Sequence, residues 1–94
     1  VIDLRTVRPI DFDAILTSVR KTNRLVVLEE AWPLASISSE IAYRVQKDAF
    51  DDLDAPVKRV TALDTPMAYA PTLVEAYLPN KDKVVKAVKK VMYI

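Results

Sequence analysis

The clearest apolar pattern in the chain is that of an amphipathic helix. Four residues stand three or four positions apart, as they do on one face of an α-helix: Phe12, Ile15, Leu16 and Val19. Asp11 precedes them, and its carboxylate can accept hydrogen bonds from the free amides of a first turn. We therefore predict a helix that begins after Asp11 and ends near Thr22.

Later segments repeat this spacing. A second stripe predicts a helix from Ile37 to about Phe50, with Ser36 as its cap. A third helix starts near Asn80 and carries a mostly valine stripe: Val84, Val85, Val88, Val91 and Met92. Between them, Thr65 to Pro79 contains three prolines and one helical turn around Leu73 to Tyr77.

Three other segments indicate strands. Val1 to Arg5 opens the chain with apolar residues, and Val57 to Leu63 is rich in β-branched residues. The run Leu25 to Leu28 is continuously apolar, as in strands that are buried on both faces of a parallel sheet. The order β-α-β-α-β-loop-α predicts one α/β domain of three layers, with a mainly parallel sheet between helices.

The composition argues against a self-contained enzyme. The 94 residues include no His, Cys or Gly, so thiolate metal sites, histidine-based catalysis and glycine-rich phosphate loops are excluded. We predict no catalytic, cofactor-binding or metal-binding residue in this chain. The net charge of +1 gives no reason to expect nucleic acid or an anionic membrane as a partner. No apolar run approaches the roughly 18 residues that cross a bilayer.

Two charged groups have alternative interpretations. Glu29 and Glu30 end the second strand, where they could hold a metal or divide acid and base roles. We favour two solvated carboxylates, because adjacent strand residues point to opposite faces. The last helix carries a basic face that could bind phosphate or an acidic partner, although a solvated face is the simpler interpretation: Lys81, Lys83, Lys86, Lys89 and Lys90.

The aromatic residues suggest contacts rather than chemistry. Trp32, the only tryptophan, lies in a loop and is either an interface anchor or a plug for the end of its own core. Tyr69, Tyr77 and Tyr93 lie near predicted loops or helix ends. We expect each to be an aromatic at the edge of the core with its hydroxyl in water, not a catalytic acid.

Several motifs together resemble a known family. They are the opening stretch 1–11, Lys21-Thr22-Asn23-Arg24-Leu25-Val26, Glu29-Glu30-Ala31-Trp32-Pro33, Leu53-Asp54-Ala55-Pro56, Arg59-Val60-Thr61, Asp64-Thr65-Pro66 with Tyr69-Ala70, and Ala87-Val88-Lys89-Lys90-Val91. In this order they resemble the C-terminal domain of the beta subunits of 2-oxo acid dehydrogenases, within the transketolase group of thiamine-diphosphate enzymes. The resemblance is closest to the pyruvate dehydrogenase beta subunits, and it runs over essentially the whole chain.

The resemblance implies a role in assembly. In that family thiamine diphosphate and Mg²⁺ bind between the alpha subunit and the N-terminal domain of the beta subunit, outside the part resembled here. The C-terminal domain packs two beta subunits together in an α2β2 tetramer and helps dock the subunit-binding domain of the dihydrolipoyl acyltransferase. The implied parent reaction is oxidative decarboxylation of pyruvate with acetyl transfer to lipoyl groups. The implied location is the bacterial cytoplasm, or the mitochondrial matrix in a eukaryote.

The resemblance also identifies candidate contact residues and a gap. We expect Trp32 and the loop around Tyr69 to contact other subunits, and Tyr93 with the carboxylate of Ile94 to contact the acyltransferase. The chain looks like a piece of a longer protein that lacks the domain's first strand and helix. Where related subunits have glycines, this chain has Glu30, Ala31, Ala35 and Ser38, which predicts a stiffer tryptophan loop. The alternatives are a branched-chain 2-oxo acid dehydrogenase, a transketolase or a standalone interaction module.

Overall fold

The computed structural model describes residues 1–66 and 69–94, and from residue 12 onwards it alternates helices and strands as predicted. In chain order the elements are α1 (Phe12–Thr22), β1 (Val26–Leu28), α2 (Ile37–Ala49), β2 (Lys58–Val60), α3 (Pro71–Tyr77) and α4 (Lys81–Val91). A short 3₁₀ turn, Phe50–Asp52, follows α2. No helix in these ranges has both the length and the apolar character needed to cross a membrane.

The three long helices begin where the sequence predicts. In each, a polar side chain accepts a hydrogen bond from the amide three residues further on: Asp11 from Ala14 at 3.1 Å, Ser36 from Ser39 at 3.4 Å, and Asn80 from Lys83 at 3.0 Å. Such a cap satisfies one of the amides that a helix start leaves without a partner, and it contributes about 1 kcal/mol.

The sheet of the described residues is one parallel pair of strands with helices on both faces. Its register joins Val26 to Lys58, Val27 to Arg59 and Leu28 to Val60. Val27 packs on the core formed by α1 and α2, so Arg59 shares that face. Lys58 lies on the opposite face, where its side chain meets Lys90 of α4. The predicted three-layer α/β arrangement is therefore confirmed on a very small sheet.

The main core lies between α1 and α2. Val19 and Val45 are almost completely inaccessible to solvent, and Ile15, Ile41 and Ala49 complete the buried cluster. Partly buried residues from α1, β1 and the connecting loops cover its edges: Leu4, Ile10, Phe12, Leu16, Leu25, Val27, Leu53 and Val57. The guanidinium of Arg44 also lies 4.0 Å from the centre of the Phe12 ring, a cation–π contact between the two helices.

The prediction of a strand over Val1 to Arg5 is wrong. The segment is irregular and mostly exposed, and its backbone turns locally, with the Thr6 amide donating to the Leu4 carbonyl. Only Leu4 and, further on, Ile10 pack on the core. A strand needs a neighbour for its amides and carbonyls, and β1 pairs with β2 but not with this segment.

The prediction that β1 is buried on both faces is also partly wrong. Val26 and Val27 are half-buried, but Leu28 is 59% exposed. The valine stripe of α4 is likewise only partly covered, because Val91 is buried while Val85, Val88 and Met92 remain exposed. Two strands of three residues are too narrow to cover all the apolar surface that the sequence provides.

Four residues adopt the left-handed backbone conformation that glycine usually occupies. They are Arg5, Asn23, Ala35 and Tyr93, with φ between 55° and 65°. Asn tolerates this conformation, and Asn23 ends α1 while its side-chain amide donates to the Asp52 carbonyl at 2.8 Å. Ala35 has no such compensation from its side chain. It lies in the loop after β1, where the resemblance led us to note missing glycines.

We predict that replacing Ala35 with glycine stabilises the protein. Removing the β-carbon relieves about 1–2 kcal/mol of left-handed strain, and the added freedom of the unfolded chain costs about 0.5–1 kcal/mol. The expected net gain is about 0.5–1 kcal/mol in the free energy of unfolding, measured by urea denaturation with circular dichroism.

The matched control is Ala42→Gly inside α2, where the backbone is helical. This change is expected to destabilise by about 1 kcal/mol or more. Equal losses of stability in the two variants would show that Ala35 is not strained.

Candidate functional site

The loop that follows β1 holds the chain's only tryptophan and is tied firmly to its surroundings. We call residues 29–36 the tryptophan loop. Its backbone extends the contact between the strands, since the Glu29 amide donates to the Val60 carbonyl at 2.9 Å and the Ala62 amide donates to the Ala31 carbonyl at 3.0 Å. The loop then turns at Ala35 into α2.

Arg59 of β2 is the main polar anchor of this loop. Its guanidinium donates to the Pro33 carbonyl at 2.7 Å and to the Ser39 hydroxyl at 2.7 Å. The hydroxyls of Ser36 and Ser38 lie within 3.4 Å of the same nitrogen. These charge-assisted contacts link the loop to β2 and to the first turn of α2. Sequence reasoning gave Arg59 no role, although it belongs to one of the motifs that carry the resemblance.

The paired glutamates do not act as a pair. The Glu29 carboxylate accepts from the Ser38 amide at 3.3 Å, at the positive end of α2, and Glu30 is exposed. The two side chains thus have separate surroundings, as the alternation along a strand predicts. Among residues 1–66 and 69–94, no group of three or more potential metal-ligating side chains comes together.

Trp32 is held by its nitrogen but is not buried. The indole N–H donates to the Tyr77 hydroxyl at 2.6 Å, while the residue as a whole stays 51% exposed. Tyr77 is buried, so its hydroxyl does not face water as predicted but accepts from Trp32. An aromatic ring that is fixed by a hydrogen bond and half-exposed loses little conformational entropy when a partner covers it.

Tyr69 is fully exposed, with 100% of its reference surface accessible. The rest of the predicted contact loop is described only in part, because Met67 and Ala68 lie outside the described residues. No described hydrogen bond of the Tyr69 side chain fixes it in place.

Tyr93 and Ile94 form the end of α4. The Tyr93 amide donates to the Lys90 carbonyl and the Ile94 amide to the Lys89 carbonyl, at 3.2 and 3.0 Å, with Tyr93 left-handed. This is a Schellman cap. The Tyr93 hydroxyl donates to the Asp54 carbonyl at 3.2 Å. Tyr93 and Ile94 nevertheless stay largely exposed, Ile94 at 86%.

Three of the four predicted contact residues, Trp32, Tyr93 and Ile94, fall into two places. Trp32 joins Tyr77, which lies just before the start of α4, whereas Tyr93 and Ile94 lie at its end. A helix of 11 residues is about 16 Å long, so these are two separate surfaces and not one site.

A basic surface lies beside the second place. Lys86, Lys89 and Lys90 line a shallow hollow together with Asp82, Val85 and Ile94. Lys58 of β2 adjoins Lys90, and the hydrogen bond that a neutral Lys58 can accept from Lys90, together with the charge of Lys90, lowers the pKa of Lys58. The contribution of Lys58 was not foreseen, because it depends on the placement of β2 against α4.

Comparison with known proteins places this fold in a family. The family model described as "Transketolase, C-terminal domain" matches residues 1–84. The chain is 54% identical over 94 residues to a pyruvate dehydrogenase E1 component subunit beta of Rickettsia bellii, covering 100% of this chain and 29% of the relative. It is 55% identical over 95 residues to the mitochondrial pyruvate dehydrogenase E1 component subunit beta of Caenorhabditis elegans, covering 100% of this chain and 27% of the relative.

A third relative has a different name. It is the acetoin:2,6-dichlorophenolindophenol oxidoreductase subunit beta of Bacillus subtilis, 51% identical over 85 residues, which cover 90% of this chain and 25% of the relative. The chain therefore spans less than a third of the length of each of these relatives. The match of the family model over most of the chain agrees with the α/β fold and with the motifs noted in the sequence. The chain belongs to the transketolase C-terminal domain family.

Proposed function

We propose that this chain is the C-terminal domain of a pyruvate dehydrogenase E1 beta subunit and that it serves assembly and docking. The observation that carries the proposal is the identity of about half of all positions, over the whole chain, with subunits of that name. The parent reaction would be oxidative decarboxylation of pyruvate with acetyl transfer to lipoyl groups. Relatives of bacterial and of mitochondrial origin both fit such a role.

The chemistry of the described side chains supports a non-catalytic role. The composition provides no imidazole and no thiol, and Glu29 is engaged by the first turn of α2. Two tyrosine hydroxyls form structural hydrogen bonds: that of Tyr77 with Trp32, and that of Tyr93 with the Asp54 carbonyl. None of these groups is paired with a base that could activate a nucleophile.

The proposal places thiamine diphosphate and Mg²⁺ in another part of the parent enzyme. A diphosphate with its metal needs several oxygen ligands that converge on one point. The described residues bring no such group together, and Glu29 and Glu30 have separate surroundings. The described side chains therefore do not fit this cofactor.

Exposed apolar surface near β1 supports burial by other parts of an assembly. Leu28, Trp32 and Leu34 follow one another closely in the chain and are all more than half exposed. One edge of β1 pairs with β2, and within the described residues no strand pairs with its other edge. A strand from another part of the parent subunit would supply a partner for that edge.

The proposed contacts work by removing aromatic and apolar area from water. Trp32 and Tyr69 would anchor contacts between subunits of an α2β2 tetramer. Tyr93 and the carboxylate of Ile94 would contact the subunit-binding domain of the dihydrolipoyl acyltransferase. The Tyr93 hydroxyl donates to the Asp54 carbonyl, so the proposed docking surface lies beside residues 51–54.

A second candidate function has support from one relative. The acetoin oxidoreductase subunit beta matches this chain almost as closely as the pyruvate dehydrogenase subunits do. A branched-chain 2-oxo acid dehydrogenase or a transketolase would use the same type of domain. Assays of the full-length parent with pyruvate, acetoin, branched-chain 2-oxo acids and sugar phosphates separate these alternatives, because each predicts a different preferred substrate.

We expect the 94-residue chain alone to be inactive. Purified chain with thiamine diphosphate, Mg²⁺ and pyruvate should release no CO₂ above the rate without protein. The full-length beta subunit, assembled with its alpha subunit under the same conditions, is the positive control. Turnover of pyruvate by the 94-residue chain would contradict the assembly role.

Replacing Trp32 tests the proposed subunit contact. Trp32→Ala in the full-length beta subunit should weaken tetramer formation roughly thirtyfold, since a central aromatic anchor contributes about 2 kcal/mol or more. Trp32→Phe keeps an aromatic ring but loses the hydrogen bond to Tyr77, and it should have a smaller effect. Sedimentation over a range of concentrations measures the association.

The control for Trp32 is Tyr43→Ala, which removes a half-exposed aromatic residue from α2. This variant should assemble normally. If Trp32→Ala also assembled normally, Trp32 would not be an anchor.

Deleting Tyr93 and Ile94 tests the docking contact. We expect the shortened full-length subunit to bind the isolated subunit-binding domain of the acyltransferase at least about tenfold more weakly, because it loses an apolar contact and a charged acceptor. Titration calorimetry measures the affinity, and sedimentation verifies that the tetramer persists. Unchanged affinity in an intact tetramer would remove this assignment.

A further inference from the structure

We propose that the basic surface at α4 binds an acidic, partly apolar segment of a partner protein. We define the basic surface as Lys58, Lys86, Lys89 and Lys90. This proposal goes beyond the assembly role, and it does not depend on the identity of the parent enzyme.

The geometry gathers these lysines on one side of the helix. Lys86, Lys89 and Lys90 stand three and four positions apart, so they project from one side of α4. They line the same hollow, and Lys58 adds a fourth ammonium from the neighbouring strand through its contact with Lys90. Asp82, the only acidic residue of α4, lines the same hollow from nearer the start of the helix.

No lysine of this surface forms an ion pair among the described residues. Every ion pair among the described residues uses an arginine: Arg5 with Asp3, Arg20 with Asp52, Arg24 with Asp54, and Arg44 with Asp48. The acidic turn after α2 is thus largely paired by arginines. Lys83 is also engaged, because its ammonium donates to the Ala76 and Leu78 carbonyls at 2.7 Å. Four lysines stand against one aspartate, Asp82, in this hollow and its rim, so the basic surface keeps a net positive charge.

The contact between Lys58 and Lys90 brings two like charges together. The hydrogen bond that a neutral Lys58 can accept from Lys90, and then the charge of Lys90, lower the pKa of Lys58. A carboxylate placed between the two ammonium groups would turn this repulsion into two attractions. A pair of this kind favours an anionic ligand more than isolated surface lysines do.

The apolar residues beside the lysines favour a protein segment over other polyanions. Val85, Val88 and Met92 are exposed on α4 at a spacing of three and four, next to the lysines. A segment with alternating acidic and apolar side chains satisfies both strips at once. Nucleic acid could stack a base on the exposed Tyr93 beside this surface, but it would leave the apolar strip uncovered.

The experiment uses the full-length protein that contains this chain, in its native assembly. The probe is a fluorescein-labelled peptide of alternating Glu and Leu, and its matched control is the same peptide with Gln in place of Glu. Fluorescence anisotropy should show binding of the Glu peptide that weakens as NaCl rises from about 50 to about 300 mM, since the Debye length then shortens. The Gln peptide should bind at least about tenfold more weakly, because it lacks the charges that pair with the lysines.

Two triple variants locate the site. The first variant combines Lys86→Gln, Lys89→Gln and Lys90→Gln. It should bind the Glu peptide about tenfold more weakly, because each exposed ion pair contributes a few tenths to about 1 kcal/mol. Lys21→Gln with Lys47→Gln and Lys81→Gln removes the same charge from other exposed positions and should change the affinity less than twofold. Circular dichroism verifies that both variants fold.

Three outcomes would overturn the proposal. They are no binding of the Glu peptide, equal losses in the two triple variants, and tighter lysine-dependent binding of single-stranded DNA or of phosphatidylserine vesicles than of the peptide. The last outcome would assign the basic surface to a different class of partner. None of these results depends on whether pyruvate is the parent enzyme's substrate.

Discussion

The parallel pairing of β1 with β2 is the contact on which the rest of the structure depends. It joins only three residues of each strand, yet its two faces carry α1 and α2 on one side and α4 on the other. The pairing also places Arg59 beneath the tryptophan loop and Lys58 against Lys90. A shift of one residue in the register would send each of these side chains to the opposite face. Both surfaces that we assign to partners thus depend on one short set of backbone hydrogen bonds.

Because the chain has no glycine, other residues adopt the left-handed backbone conformation in its loops, at a cost in backbone strain. The chain reverses direction at three residues in the left-handed conformation. Asn23 lies at the end of α1, Tyr93 at the end of α4 and Ala35 before the start of α2. Asn23 and Tyr93 offset the strain through side-chain contacts with the segment 52–54. The two helix ends are therefore held to the same acidic turn. Ala35 has no such side-chain contact, and the hydrogen bonds of Arg59 to its neighbours hold the loop in place.

Much of the fold could be predicted from the sequence because local chemistry determines it. The starts of α1, α2 and α4 follow from Asp11, Ser36 and Asn80, whose side chains act within one turn of the helix. Strand behaviour at Val1 to Arg5 could not be predicted in the same way, since a strand exists only if a neighbour accepts its hydrogen bonds. The exposure of Leu28 has the same origin. It depends on the number of strands in the sheet, which apolar periodicity does not report.

The candidate sites show the same difference between features that local sequence determines and contacts that depend on the fold. Trp32 could be singled out as a large aromatic residue in a loop, but its bond to Tyr77 joins positions 45 residues apart, and no local pattern indicates it. Arg59 and Lys58 likewise acquire their roles only when β2 lies between α2 and α4.

The distribution of charge shows how such placement changes the meaning of a neutral composition. The chain has 14 basic and 13 acidic residues, which suggests no preference for a charged partner. In the folded chain, however, the ion pairs of the described residues take up arginines and four of the aspartates, and no lysine of α4 takes part in one. Nearly equal numbers of charges therefore still leave a local positive surface. Recognition depends on the field at that surface, within a Debye length of about 10 Å, and not on the sum over the chain.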